Sequence, residues 1–163
     1  MITSEQLRAA RAAWAVGPVE APAVLRATGK DAKDYLHRLT TQDVNGLAPG
    51  ASAYAAVLNA KGHLLAGVHV LVEPDGLLLV MDPRAAADAR PHLERFVIMD
   101  DVTFEDLSAS LRLLPVLGPE AAALAGPIRT ALTDDTFCVK SGGLEKLALL
   151  GWRMLPGTIA RHV

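Results

Sequence analysis

The residues with chemical potential in this chain are few, and their spacing decides most of what they can do. Asn59-Ala60-Lys61-Gly62 sets an amide and a cation side by side between two apolar stretches. An ammonium beside an amide suits an anion, while Gly62 equally suits any turn that needs positive φ; both readings stand. His63 and His69 fall on one expected strand, where a ~3.3 Å rise per residue puts them roughly 20 Å apart, too far to share one ion. No cysteine pair and no histidine pair at helical i, i+4 spacing lies nearby, so a metal site has no support, and both histidines read as partly exposed strand residues. Asp43 is expected to bond its own turn backbone. Asp100 and Asp101 are neighbours on extended chain and point to opposite sides, which excludes a carboxylate dyad sharing a proton. Cys138, the single cysteine, has no histidine partner in the sequence and reads as an inert thiol. Tyr54 is expected to close the core, with stacking on a planar ligand as its other use. No dinucleotide fingerprint, phosphate loop, nucleophile elbow or zinc-protease helix occurs. Side-chain chemistry alone therefore names no reaction.

The elements that must hold these residues follow from periodicity. Ser4–Ala15 is expected to be a short helix with Ser4 as its cap, and Ala23–Ala27 a short strand. Asp31–Leu39 carries an amphipathic stripe of Ala32, Tyr35, Leu36 and Leu39. Asn45-Gly46 and Pro49-Gly50 break the chain. Ala51–Leu58 and His63–Val72 then read as antiparallel strands joined by the Asn59–Gly62 turn. In the second strand Leu64, Ala66, Val68, Val70 and Val72 share an apolar face to pack under helices, and His63, Leu65, Gly67, His69 and Leu71 share a mixed one. Leu77–Met81 makes a third strand, and Asp82-Pro83 opens a helix whose stripe of Ala85, Ala89, Leu93 and Phe96 or Val97 ends near Ile98. Val102–Phe104 follows, then Ser110–Leu117 as a strand whose Pro115 argues for a sheet edge. A last helix is expected from Pro119 to about Leu124, and strands within Thr130–Lys140 and Lys146–Leu155. This order predicts an α+β fold, a largely antiparallel sheet with helices on one face.

Composition narrows the class. At 163 residues the chain suits one domain with a real core and leaves room for an appended piece. Hydrophobic residues make up 51% and charged ones 21%, an ordinary globular balance, and with only 4% aromatic the packing falls to Leu, Ala and Val. A formal charge of −2 with scattered Lys and Arg gives no reason to expect nucleic acid or an anionic membrane as partner. Apolar runs such as Leu77–Met81 are far shorter than the ~20 residues of a membrane span. The start shows no basic region followed by an apolar core, so no signal peptide is expected and the expected location is cytoplasmic.

The order of several short pieces goes further. Leu39-Thr40-Thr41-Gln42-Asp43-Val44, Pro49-Gly50, Tyr54, Leu58-Asn59-Ala60-Lys61-Gly62 and Phe96-Val97-Ile98-Met99-Asp100-Asp101-Val102 occur in sequence. So arranged, they resemble the N-terminal folate-binding region of the aminomethyltransferase family, which includes the glycine-cleavage T-protein and YgfZ-like relatives that support iron–sulfur enzymes. Leu117-Gly118-Pro119 and the Gly151-Trp152-Arg153 element fit the same pattern, and Thr-Thr-Gln-Asp-Val leans toward the YgfZ-like branch. The resemblance implies the first lobe of the T-protein/YgfZ-like folate-binding fold. It divides the chain into an N-terminal helix and linker over 1–22, a folate-binding-like domain over 23–125, and over 126–163 the start of a following lobe or a truncated extension.

Two departures shape the functional expectation. The family's catalytic aspartate pair, shortly after the Asn-x-x-Gly turn, is replaced by Ala66 and Gly67, and no Lys-Gly-Cys-Tyr-x-Gly-Gln motif follows. Family members are about twice as long, so the chain is expected to be a fragment or a stand-alone N-terminal module. The resemblance thus implies a YgfZ-like, tetrahydrofolate-binding accessory protein of one-carbon metabolism, linked to iron–sulfur cluster assembly and maintenance, with iron–sulfur client proteins as partners and no full aminomethyltransferase catalysis. It assigns no catalytic residue. Tyr54, Asn59, Lys61, Gly67 and His69 are the candidate folate-binding residues: Tyr54 to stack on a folate ring, Asn59 to hydrogen-bond, and Lys61 to meet the glutamate tail. Tetrahydrofolate is expected to bind weakly, since one lobe supplies part of the pocket. The alternatives are a divergent aminomethyltransferase, whose nearby acids are Asp43, Asp75 and Asp82, and a structural or assembly module that kept the fold without the ligand.

Overall fold

The computed structural model describes residues 20–117 without interruption, together with Ser4, Glu5, Arg8, Ala12 and the segments 15–16, 137–141 and 147–153. Its strands in chain order are β1 (Ala15–Val16), β2 (Ala23–Thr28), β3 (Ser52–Leu58), β4 (Leu64–Glu73), β5 (Gly76–Met81), β6 (Thr103–Asp106), β7 (Leu111–Leu117), β8 (Phe137–Ser141) and β9 (Leu147–Arg153). The helices are α1 (Ala32–Leu39) and α2 (Pro83–Arg95). Ser4, Glu5, Arg8 and Ala12 are helical, as expected, but Ala15 opens a strand. The rest of the expected N-terminal helix, and the helix expected from Pro119, lie outside the described residues.

β2 to β6 form one antiparallel sheet in the order β3-β4-β5-β2-β6. Alternation sends every second residue to one face, where Leu25, Ala27, Val57, Val68, Val70, Leu77 and Leu79 pack against Ala32, Tyr35 and Leu36 of α1 and Ala89 and Leu93 of α2. Fully burying a Leu or Val side chain contributes about 1.5–3 kcal/mol, so this interface carries most of the stabilisation. The Tyr35 hydroxyl donates to the Leu93 carbonyl at 2.5 Å and ties the helices to each other. Asp82 caps α2, its carboxylate accepting from Arg84 N at 2.8 Å, with Pro83 in the first turn. Both helices therefore cover one face of the sheet, as the α+β reading expects.

Three details depart from the sequence reading. The alternation of β4 fails at its start: Val57 pairs with Ala66 but Leu58 with Leu64, so Leu65 is an extra, bulged residue. The bulge reverses the expected faces, leaving Leu64 65% exposed while Leu65 packs against the helix-side core. In α2 the packing stripe ends at Leu93; Phe96 is exposed, and Val97 reaches the core from beyond the helix end. Finally, β7 is no edge. It lies inside a second sheet, ordered β1-β7-β9-β8. Pro115 is accommodated because it falls between the Val16–Val116 pair of β1 and the separate Glu20–Leu113 bridge.

The second sheet crosses the face of the first that the helices leave open. Leu111 and Leu113 of β7 bury Val24, Leu71, Leu78 and Val80. This contact covers only part of that face, and the uncovered end is a cleft.

Candidate functional site

The cleft has a volume of roughly 470 Å³ and is floored by Tyr54 on β3, Gly67 and His69 on β4, and Val80 and Met81 on β5. Its walls are Asp82-Pro83 at the start of α2, the Glu20–Pro22 segment, and Leu113 of β7. Glu20 and Leu113 exchange backbone hydrogen bonds of 2.8 and 2.9 Å, which fixes the Glu20–Pro22 wall against β7. Both bonds join main-chain atoms, so no residue type announces them, and the sequence reading missed this wall.

Three of the five candidate folate residues meet here. Tyr54 and His69 are cross-strand partners, with ring centroids 4.9 Å apart and planes at 60° in an edge-to-face contact. Tyr54 does not close the core: it is 55% exposed. The helices cover the opposite face of β3, where Ala55 and Val57 point, and Tyr54 alternates away from them. Its ring instead lies over Gly67, where a Cβ would come within 1.9 Å of the Tyr54 hydroxyl oxygen. A side chain at position 67 would therefore have to displace the Tyr54 ring. Burial pushes the His69 imidazole below its ordinary pKa, which keeps the ring neutral at pH 7.

Asn59 and Lys61 stand elsewhere. From Tyr54 to Leu58 the strand alone runs roughly 13 Å, and the turn lies beyond it. The Asn59 carboxamide oxygen accepts from the backbone N–H of Lys61 at 2.9 Å and of His63 at 3.0 Å, and Gly62 takes φ +79°. The turn is thereby built by Asn59 and Gly62 themselves, in the manner of an Asx turn. Asn59 also lines a separate cavity of roughly 250 Å³ with Arg38, Thr41, His92 and Phe96, whereas Lys61 is exposed and lines neither cavity.

The carboxylates divide between the cleft and the scaffold. Asp43 accepts from Gly46 N at 3.0 Å, closing its own turn as expected. The Asp100 carboxylate takes a 2.5 Å bond from Arg38, while Asp101 is held through its backbone N–H, which donates to the Asp31 carboxylate at 2.8 Å. Asp75 is bonded through both oxygens by Arg26 at 2.7 Å, away from the cleft. Asp82 does line the cleft, but Arg84 donates to both of its oxygens at 2.7–3.3 Å. That pairing, with the cap bond, holds the Asp82 carboxyl down at about 2, leaving it no proton to give at neutral pH. Glu20, on the exposed rim, is the other acid of the wall. Of the two positions where the family's aspartates would stand, Ala66 is buried under the helices and only Gly67 faces the cleft. Among the described residues no group of three His, Cys, Asp or Glu side chains is placed to hold a metal ion, and no helix is long and apolar enough to cross a membrane.

Comparison with known proteins places the chain. A family model described as the GCVT N-terminal domain matches residues 2–145. The chain is 33% identical to an aminomethyltransferase of Rubrobacter xylanophilus over 61% of its length and 27% of the relative's. It is 30% identical to the human mitochondrial iron–sulfur cluster assembly factor IBA57 over 90% of its length and 44% of the relative's. The tRNA-modifying protein YgfZ of Klebsiella pneumoniae is 30% identical over 80% of this chain and 38% of its own. The fold is similar to that of the glycine cleavage system aminomethyltransferase T of Bartonella henselae, with a TM-score of 0.74 at 19% identity, over 90% of this chain and 44% of that one. The chain thus spans less than half the length of these relatives.

Proposed function

The chain belongs to the GCVT N-terminal domain family, and from that membership we propose that it is a tetrahydrofolate-binding accessory module of the YgfZ-like kind, serving iron–sulfur enzymes in the cytoplasm and not itself transferring aminomethyl groups. The ligand surface is the cleft. Tyr54 stacks on a flat ring of the folate, Gly67 makes the room in which the Tyr54 ring lies, and His69 bonds the edge of the folate ring. Asn59 serves the turn, and Lys61 stands exposed on that turn, outside the cleft. The iron–sulfur part of the reading is supported by the name of the human relative, an assembly factor matched over 90% of this chain.

The observation that carries the reading is the missing acid on β4. Position 66 is core, position 67 has no side chain and lies under Tyr54, and Asp82 is tied to Arg84. A surface with an aromatic ring and no free carboxylate on its floor suits holding a folate. Of the two acids that line it, Asp82 is tied to Arg84 and Glu20 stands on the exposed rim, away from the floor.

An anaerobic NMR titration with tetrahydrofolate tests this. Shifts should centre on Tyr54, Gly67 and His69, with saturation reached only at weak affinity. No shift at the cleft would remove the binding claim. Micromolar binding by calorimetry would remove the claim that one lobe supplies only part of the pocket. No methylene-tetrahydrofolate should form from an aminomethyl donor, and turnover would favour a divergent aminomethyltransferase using Glu20.

A further inference from the structure

The cleft contains one polar group whose bonding the fold leaves unfinished. His69 Nδ1 is buried and has no hydrogen-bond partner among the described residues. A proton on Nδ1 would be a buried donor without an acceptor, which native structures avoid more strictly than an unmet lone pair. The neutral imidazole therefore keeps its proton on Nε2, which is not among the sealed, unpaired atoms, on a ring that lines the cleft.

We infer that His69 is the specificity-determining residue of the cleft, a neutral Nε2–H donor that reads an uncharged acceptor on the edge of a planar heterocycle, so that the cleft takes the ring end of its ligand and rejects a carboxylate tail. The identity of the ligand rests on the folate reading; the state of the imidazole does not. The charge of the walls agrees with this choice. Among the described residues, Glu20 and Asp82 line the cleft and no Lys or Arg does. A carboxylate entering it would meet Glu20, and Asp82 with its charge already matched by Arg84. A flat ring would instead meet the exposed part of the Tyr54 ring and the apolar surface of Val80 and Leu113. The protein's own contact already presets the arrangement, since Tyr54 and His69 hold each other edge to face.

The test has two parts, both on the full chain. Long-range ¹H–¹⁵N spectra of the ligand-free protein should show His69 as the Nε2–H tautomer at pH 7; an Nδ1–H tautomer or an imidazolium overturns the inference whatever the ligand. Two halves of folate are then titrated separately, 6-methyltetrahydropterin and p-aminobenzoylglutamate. The tetrahydropterin should shift Gly67 and His69, and the anionic half should leave them unmoved. H69Q, which keeps an N–H donor near the Nε2 position, should retain tetrahydropterin affinity within about twofold, and H69L should lose about fivefold, the worth of one neutral hydrogen bond. Equal affinity in all three proteins overturns the role of His69. If tetrahydrofolate and p-aminobenzoylglutamate shift the cleft and the tetrahydropterin does not, the folate reading survives and this inference alone falls. If none of the three shifts it, the folate reading falls and takes the ligand class with it.

Discussion

On the side of the sheet that α1 and α2 cover, β4 contributes Ala66, Val68, Val70 and Val72, all buried; on the other side it contributes Gly67, His69 and Leu71, of which only Leu71 is buried. The same ten residues thus serve two ends. The helix side is filled with aliphatic groups that have nothing to offer a ligand and much to lose by leaving. The cleft side carries a glycine, an imidazole with one unpaired nitrogen and, across the strand pair, a half-exposed tyrosine. Neighbouring residues on β4 therefore differ in kind, and a substitution at one should not behave like a substitution at the next.

The largest expected effect lies on the helix side. Leu79 of β5 is completely buried among the helix-packed residues, and Leu79→Ala should cost about 2–5 kcal/mol in urea unfolding, from lost transfer energy and the cavity left behind. Tyr54→Ala, on the cleft side, should cost about 1 kcal/mol, since the ring loses one aromatic contact and little burial. Comparable losses in the two variants would end the division of labour between the faces.

How much of this was legible in the sequence depends on whether a residue's type or its partner sets its place. The Asp31–Leu39 stripe and the alternation from Ala66 to Val72 were readable because hydrophobic period alone selects the buried face. The Asn59–Gly62 turn was readable because Asn supplies its own acceptor and Gly its positive φ. The bulge at Leu65 was not, for Leu64 and Leu65 are the same residue type and only pairing with Leu58 distinguishes them. Tyr54 was misplaced for a related reason: an aromatic residue in an apolar strand fits the core equally well, and the deciding fact is the gap over Gly67 on a different strand. The Glu20 wall had no signal at all, being fixed by main-chain bonds to a distant strand. Family resemblance brought Tyr54, Gly67 and His69 together as candidates; it also added Asn59 and Lys61, which sit at the far end of the hairpin.

A smaller effect sharpens the comparison at its closest point. Gly67→Ala would place a methyl group 1.9 Å from the Tyr54 hydroxyl oxygen. Tyr54 is half-exposed, so its ring can swing outward, and the stability cost should stay near about 1 kcal/mol, the worth of its contact with His69. The ligand surface should suffer more. The His69 ring protons should move as the Tyr54 ring current leaves them, and the response to tetrahydrofolate should fall away. Unchanged His69 resonances would mean that Tyr54 stays in place and that Gly67 is not what admits it.

The smallest effect belongs to the residue that joins the two sides. Asp82 lines the cleft with one flank and caps α2, which covers the opposite face. Its carboxyl is held at about 2, below an ordinary value of 3.8, by Arg84. A folded-state pKa below the unfolded one means that the contribution is complete above the unfolded value and disappears as pH falls through the folded one. The melting temperature of the wild type should therefore fall more steeply than that of Asp82→Ala between about pH 4 and pH 2, with the gap largest near neutrality and closing at the acid end. The pair is exposed, so the gap should be small and should shrink in high salt. Parallel curves would show that the cap works without its charge. The carboxylate would then be free to face the cleft, and the claim that this acid is withheld from chemistry would lose its basis.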